Sequence, residues 1–586
     1  MAVTPSSRAT GVWTEVPAEE YCDAVVAAMG LGGIDYLFFT SGSEIMFYQE
    51  AAAKAKALGR PAPRLLTMTH EHVNLCAAIG YSMYTGKPAA TAVHVDVGTL
   101  HYGGAIHTAS RGNIPVLLTA GGPPTAYAGS MRGARDGPQF VQQQTWDQNG
   151  IVRQYMKWDH RLEYQDNPGL IVSRALQVAL SEPQGPAYLS LPREIAMLPL
   201  DGARFPTVEQ LGVNRRMGPD PDAIRDAADL LLKAQNPVVV VSRSGRNPET
   251  LPALVRLCET MGMGVVEGIW RTYQSFPLDH PLYQNQISLA DADAVLVLEA
   301  DVPWMPGARA PKPEAAIIHV DVDPVQRRIP VLELTADVRI PCDSLLAIEA
   351  LQAEIESRLT NADRQRAADR AARWADTSRA SRAEAERTAQ AAATRTPIDP
   401  AWLSYQIGQA LDDNCVVVND TTGNSPVFNY VRLNGPRAAF TNPGSSGGFG
   451  PGGALGVKLA APERDVVMVT GDGFYTFGVP TPAIWAAVQH RAPYLSIIYQ
   501  NRSWGTGTRS TEQLYPGGYA AQGGFEGGYF DPPIDFAKEA EAAGAYAENV
   551  RDPAEVGPAI RRGLEQTRKG TPAIIAVWLP KILQDS

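Results

Sequence analysis

The chain of 586 residues is 45% hydrophobic and 19% charged, an ordinary globular composition with length for three or four domains. Its net charge of −11 argues against a nucleic-acid footprint, and no block of lysine and arginine marks an anionic membrane surface. The five cysteines (Cys22, Cys76, Cys258, Cys342, Cys415) are scattered without a CxxC and indicate neither a zinc site nor a disulfide framework, and no apolar run nears the roughly 20 residues of a membrane span. The N-terminus "MAVTPSSRATGVWTEVP" lacks an apolar signal core. The expectation is a soluble, unprocessed, cytoplasmic protein whose partners are small molecules or other subunits.

In chain order, residues 16–190 alternate helical patterns with the strand-like runs "DYLFFT", "AATAVHV", "IPVLLTAG" and "GPAYLSLP", which predicts an α/β layer with a mostly parallel sheet. A second block, 215–355, opens on the proline-flanked helix "MGPDPDAIRDAADLLLKA" and continues through "NPVVVVS", "MGVVEG", "AVLVLEA" and "AAIIHVDVDP". Residues 356–394 are rich in alanine, arginine and glutamate with few large apolar side chains, and read as a solvated helical linker. The third block, 395–586, carries "CVVVND", "DVVMVTGDG", "YLSIIYQN" and "TPAIIAVWLP". The fold class is α/β, with three doubly wound parallel-sheet domains. Three blocks of similar size raise the idea of an internal duplication, although no sequence repeat is visible.

The chemistry concentrates in "GDGFYTFGVPTPAIWAAVQHRAPYLSIIYQN", residues 471–501. A buried-strand run stops at Gly471, "TPAIWAAVQH" reads as a helix, and "YLSIIYQ" is the next parallel strand, ending at Asn501. Ligands of such sheets bind outside the carboxyl ends of the strands, where Asp472 and Asn501 both emerge. A carboxylate and an amide oxygen, joined by a backbone carbonyl and diphosphate oxygens, make the hard octahedral oxygen set that Mg²⁺ prefers. Gly471 and Gly473 let backbone and phosphate approach closely. The bland alternative is a β-turn with a surface asparagine downstream.

These residues carry a resemblance. "GDG" followed by about thirty residues and an asparagine resembles the thiamine-diphosphate motif of the acetolactate synthase, benzoylformate decarboxylase and pyruvate decarboxylase superfamily. The likeness extends over almost the whole chain, through "THEHVNLCAAIGYSMYTGKPAATAVHVDVGT", "IPVLLTAG", "GPAYLSLP", "AAIIHVDVDP" and "GFGPGGALGVKLAAPERDVVMVTGDG". It implies a pyrimidine-binding first domain, a central domain and a diphosphate- and Mg-binding third domain. It further implies that Glu71 hydrogen-bonds the cofactor pyrimidine, turning its amine into a proton shuttle. Asp472, Asn501 and the carbonyl of Ser503 take the metal-ligand positions. Gly471, Gly473, Thr421, Thr422 and Asn424 are expected near the diphosphate, the threonines having ordinary turn chemistry as their alternative. Ser445 and Gly447 fall on the glycine-rich approach. Gly447 stands where the family has the large apolar side chain that props the cofactor, so either Phe449 serves instead or another side chain fills the space. The spacing from Asp472 to Asn501 is two residues longer than in most members, Gln500 stands where asparagine is frequent, and "GVPTP" absorbs the surplus as a turn.

Beyond the cofactor, Ser43 in "FFTSGSEIM" and His94 occupy positions that resemble the active site of benzoylformate decarboxylase, His94 being suited to move a proton at the substrate oxygen. A core histidine is the competing reading, and the second histidine of that enzyme has no counterpart around "EADVPWMPGARAP". His101 and Tyr102 are expected to approach the pocket. In "STEQLYP", Ser510 or Thr511 caps a short helix, and Glu512 lies where 2-hydroxyacyl-CoA lyases place a proton-transferring glutamate. Its alternative is a solvent-facing cap residue. The glycine-rich and aromatic insert 516–531 reads as an active-site loop.

The implied function is a thiamine-diphosphate- and Mg²⁺-dependent carbon–carbon lyase or carboligase acting on a 2-oxoacid through a cofactor-bound carbanion. The runner-up is a 2-hydroxyacyl-CoA lyase giving an aldehyde or ketone plus formyl-CoA, and a third reading is a non-catalytic binding subunit. The substrate is accordingly a 2-oxoacid, aldehyde or acyl-CoA. The family analogy leaves room for FAD or ADP in the central domain, though "VSRSGRNPET" is a specific fingerprint for neither. It also implies a homodimer or homotetramer with the site at the subunit interface.

Overall fold

The computed structural model describes residues 13–268, 271–284, 287–421 and 426–584. Three parallel sheets flanked by helices build the chain. The strands are runs such as Val116–Gly122, Pro237–Val241 and Leu495–Gln500, buried at every position. Strands covered on both faces by helices need apolar side chains pointing both ways, hence the continuous apolar runs.

Two compact units emerge, residues 1–215 with 444–460, and residues 216–443 with 461–586. In the first unit the six strands lie in the order Arg64–Thr67, Tyr36–Phe39, Ala89–Val93, Val116–Gly122, Ala187–Pro192, Trp158–Arg161. Helix Glu71–Thr85 follows the edge strand. His70 caps it by accepting the His72 N–H at 3.1 Å, and Gly86 ends it in the left-handed region. Asn74 pins the helix to the neighbouring strand through the Phe38 carbonyl and the Thr40 hydroxyl, both at 3.0 Å. Against it lies helix Phe449–Ala460, which the third block contributes to this unit. The two backbones are nearly in contact: a Cβ on Gly80 would stand 2.2 Å from the Gly453 carbonyl oxygen, and one on Gly456 2.0 Å from that of Ala77. Only glycine allows this approach.

In the second unit the central sheet has five strands, ordered Gly264–Glu267, Pro237–Val241, Ala294–Leu298, Ala316–Asp321, Val338–Pro341. The six-stranded third sheet runs Ala439–Thr441, Cys415–Asp420, Asp465–Gly471, Leu495–Gln500, Ala573–Trp578, Tyr546–Val550. Numbered along the chain, the first and third sheets share one order: second, first, third, fourth, sixth, fifth. That identity is what a duplication would leave, in a chain whose sequence shows no repeat. In sequence the central and third sheets are joined through helix Asn361–Ala391, opened by a Thr360–Asp363 capping box. It is not solvated all round. The buried Arg370 guanidinium donates to the Met261 carbonyl at 2.5 Å, and a Cβ on Gly264 would lie 2.7 Å from the Trp374 ring. A few well-placed large side chains suffice to dock an otherwise polar helix.

Candidate active site

In the third block, strand Asp465–Gly471 delivers Asp472 to the first position of a short helix, Asp472–Phe477. Asp472 is 2% exposed, and its carboxylate accepts backbone N–H groups alone: Gly473 at 2.9 Å and Arg502 at 2.5 Å. The Arg502 guanidinium goes elsewhere, to the Leu579 carbonyl at 2.7 Å and over the Trp578 ring at 4.0 Å. Burial therefore pushes the Asp472 carboxyl up to about 7. Arg502 has φ 56°, a left-handed conformation costly for a long side chain, and it aims the N–H at Asp472.

Asn501 leaves the next strand, and its Oδ1 accepts the Ser503 N–H at 2.9 Å. Ser503 bridges to Tyr529 through the Arg502 carbonyl and the Trp504 N–H, a pairing in which the Ser503 carbonyl takes no part. A buried carboxylate held by backbone N–H groups and making no ion pair among the described residues, with an amide oxygen held at the neighbouring strand end, fits a divalent ion with oxygen preference. A Cβ on Gly471 would meet nothing within 4 Å, so its face is open to a ligand. One on Gly473 would strike the Trp504 ring at 2.7 Å. Trp504, stacked on Phe477 and edge-on to Phe530, escaped the sequence reading.

The extra length in this βαβ unit is resolved into helix Asp472–Phe477 and a turn in which Val479 adopts φ 50° before helix Pro480–Gln489. Thr421 donates to Asn419 Oδ1 at 2.8 Å, while Thr422 and Asn424 lie outside the described residues. The expected cap at Ser510 or Thr511 is corrected: the helix is Gly505–Leu514 and both residues are interior. It starts earlier than such a cap would place it because "GTGT" follows the strand-end turn directly and the helical hydrogen bonds propagate from there. Glu512 consequently falls in the last turn. Its Oε1 accepts the Gly517 N–H at 3.2 Å, and its Oε2 is buried without a partner. The insert 516–531 contains a short helix, Tyr519–Gln522, and is tied down by Tyr529, whose hydroxyl donates to the Ile582 carbonyl at 2.7 Å.

In the first block, Glu71 opens its helix at 9% exposure, with Oε2 3.3 Å from Nδ1 of His101. The His70 and His101 rings stack at 5.8 Å, and burial lowers the pKa of His70. Tyr102 is fully buried, bonded to the Thr91 hydroxyl at 2.6 Å, so it builds the floor. His94 leaves strand Ala89–Val93 and puts Nδ1 2.5 Å from Oε2 of Glu44, a carboxylate with no exposed surface. Ser43 donates to the same oxygen at 3.2 Å. The Gln143 amide lies 3.0 Å from Nε2 of His94. The Nδ1 contact is an ion-pair approach not aligned as a hydrogen bond, and it is the Gln143 amide N–H that finds an acceptor in Nε2. Glu44 and Gln143 were both missed. Asking what could neutralise His94 would have pointed to the acid beside Ser43.

The glycine-rich approach packs within this unit. Ser445 Oγ lies 3.1 Å from His107 Nε2, and the Gly448 carbonyl 3.1 Å from His72 Nε2. Gly447 sits in the turn between them. Phe449 is buried with its ring over Gly453 of its own helix, so its ring serves that packing.

Comparison with known proteins identifies the family of the three blocks. Residues 20–151 match the thiamine pyrophosphate enzyme N-terminal TPP binding domain, 224–351 the central domain, and 421–577 the C-terminal TPP binding domain. Sulfoacetaldehyde acetyltransferase of Alcaligenes xylosoxydans xylosoxydans is 24% identical, over 100% of this chain and 96% of its own. An acetolactate synthase large subunit of Mycobacterium tuberculosis is 25% identical over 93% of each chain. A benzoylformate decarboxylase of Pseudomonas aeruginosa is 24% identical over 75% of this chain and 80% of its own. The solved benzoylformate decarboxylase of Polynucleobacter necessarius superposes with TM-score 0.76 at 18% identity, covering 97% of this chain and 100% of that one. With three successive domains matched in order, the chain belongs to the thiamine pyrophosphate enzyme family, and it is an enzyme of that family.

Proposed function

We propose that the chain is a thiamine-diphosphate- and Mg²⁺-dependent carbon–carbon lyase or carboligase acting on a 2-oxoacid. The observation that carries this reading is the buried Asp472 carboxylate, which makes no ion pair among the described residues, beside Asn501, in a chain whose first block presents the buried Glu71 carboxylate. Bound thiamine diphosphate supplies a nucleophilic carbon and an electron sink for a bond beside a carbonyl. Asp472, Asn501 and the Ser503 carbonyl would hold the ion, and the open face of Gly471 would admit phosphate. Glu71 would hold a proton on the pyrimidine, with His101 at 3.3 Å supporting its carboxylate.

His94, with the Glu44 carboxylate beside its Nδ1, would accept or return a proton at the substrate oxygen through Nε2 once the Gln143 amide yields that position. Glu512 has one buried carboxylate oxygen unpartnered and is a second candidate for moving a proton. Relatives named for acetyl transfer, acetolactate synthesis and benzoylformate decarboxylation at nearly equal identity leave the particular 2-oxoacid to experiment. The test is a panel of 2-oxoacids, acyloins and 2-hydroxyacyl-CoAs assayed with thiamine diphosphate and Mg²⁺. Turnover of a 2-oxoacid that needs both supports the proposal. Turnover of a 2-hydroxyacyl-CoA alone replaces it, and activity that ignores Mg²⁺ removes the role given to Asp472. A homodimer or homotetramer is the expected assembly, and a monomer that binds the cofactor tightly would contradict it.

A further inference from the structure

The central sheet reverses its order between strands Pro237–Val241 and Ala294–Leu298. The crevice beyond that reversal is where an open α/β sheet takes a nucleotide, with the phosphates on a glycine-rich turn and a helix N-terminus. Here side chains occupy it. Arg243, directly after the first of these strands, is paired through one nitrogen to Asp301 and through the other to Asp321 at 3.0 Å. Arg246 donates to Glu299 at 2.7 Å, and the Ser344 hydroxyl adds a 2.6 Å bond to the same carboxylate. Gln326 and the Asp323 N–H complete Asp321 at 3.2 and 2.9 Å. The side chains of Arg243, Asp321 and Glu299 are 7%, 2% and 3% exposed.

The backbone is closed as well. The Gly245 N–H donates to the Ser275 hydroxyl at 3.1 Å, and a Cβ on Gly245 would stand 2.0 Å from the Gln274 carbonyl oxygen, so a crossing segment covers the turn. The next α-helix begins only at Thr250, after a 3₁₀ turn at Ser244–Arg246. Arg243 and Arg246 are thus committed to carboxylates of the fold itself rather than presented to a phosphate.

We infer that the central domain of this enzyme takes neither FAD nor an adenine nucleotide, and that the Arg243–Asp301–Asp321 and Arg246–Glu299 pairs hold together internally the strand ends that a bound nucleotide would span. A nucleotide entering here would have to break the ion pairs of Arg243 and leave its carboxylates buried without a cation. The protein as isolated should show no flavin absorption and release no nucleotide on heat denaturation. Calorimetric titration with FAD or ADP up to millimolar concentration should give no saturable heat, and neither should alter turnover. Stoichiometric flavin, or saturable ADP binding in the micromolar range, would overturn the inference, and both readings are independent of which substrate the enzyme uses. Arg243→Ala should lower the midpoint of thermal unfolding and Arg243→Lys lower it less. A soluble Arg243→Ala protein with an unchanged midpoint would remove the structural role given to the network.

Discussion

The first and third sheets have the same strand order but different strand-end chemistry. At the end of the third strand the first sheet presents His94, close against the buried Glu44 of its own unit, and the third sheet presents Asp472, buried with backbone N–H donors. After the second strand, the first sheet begins the Glu71 helix and the third begins the Phe449 helix, and these topologically equivalent helices pack on one another. Topology thus places the loops, and residue type decides whether a loop carries its own proton partner or calls for a cation. The central sheet is the third case, with its crevice filled by its own ion pairs.

The comparison can be broken most forcefully at the two carboxylates. Glu71→Gln should lower kcat by ~10²–10⁴-fold, the range of a lost general acid–base, with thiamine diphosphate affinity in calorimetric titration retained. Asp472→Ala should show the converse, cofactor affinity in Mg²⁺ weakened beyond the ~10–100-fold of a lost supporting partner. If Glu71→Gln loses the cofactor as well, the division of labour between the sheets fails. A smaller effect is expected where the first sheet is self-contained. Glu44→Gln leaves His94 without its carboxylate, and kcat should fall by roughly 10–100-fold with an altered pH–rate profile, Glu44→Asp restoring part of both. An unchanged profile would show that the pair is structural.

At the helix pair, Gly80→Ala forces a methyl into a backbone carbonyl 2.2 Å away and should destabilise by about 3 kcal/mol, the upper end of overpacking, as read from denaturant unfolding. The smallest effect belongs to the central sheet. Burial, aided by the Arg339 and Arg243 charges, lowers the His319 pKa to about 4. The unfolded chain then binds a proton that the folded chain refuses, so this contribution is present above the unfolded value and is lost as pH falls from about 7 to about 5, costing about 2 kcal/mol. Burial raises Asp321, which acts in the opposite sense there. The measurement is therefore the difference between wild type and His319→Leu across this window, and equal slopes would refute the histidine's role.

Asp472 and Asn501 were legible in the sequence because the signal is local: an apolar strand, a stop at glycine, a helix and the next strand lie within one βαβ unit. The motif singled out Glu71, which the fold places, buried, at the start of its helix. The Glu44–His94 pair was not legible, since a long stretch of chain separates partners that only the parallel order of their strands brings together. The start of helix Gly505–Leu514 was misplaced for a nearer reason: Ser510 and Thr511 have good capping chemistry, but the preceding strand-end turn had already set the helix going.

By itself the sequence determined three α/β blocks, since the alternation of buried strands and amphipathic helices is written residue by residue into hydrophobic periodicity. It also determined the acids and amides at the strand ends. Tertiary structure alone decided the shared strand order of the outer sheets, the transfer of helix Phe449–Ala460 into the first unit, and the pairing or isolation of each buried charge. Those outcomes depend on contacts between residues distant in the chain, and whether a buried carboxylate is neutralised depends on which neighbour lies within a few ångströms.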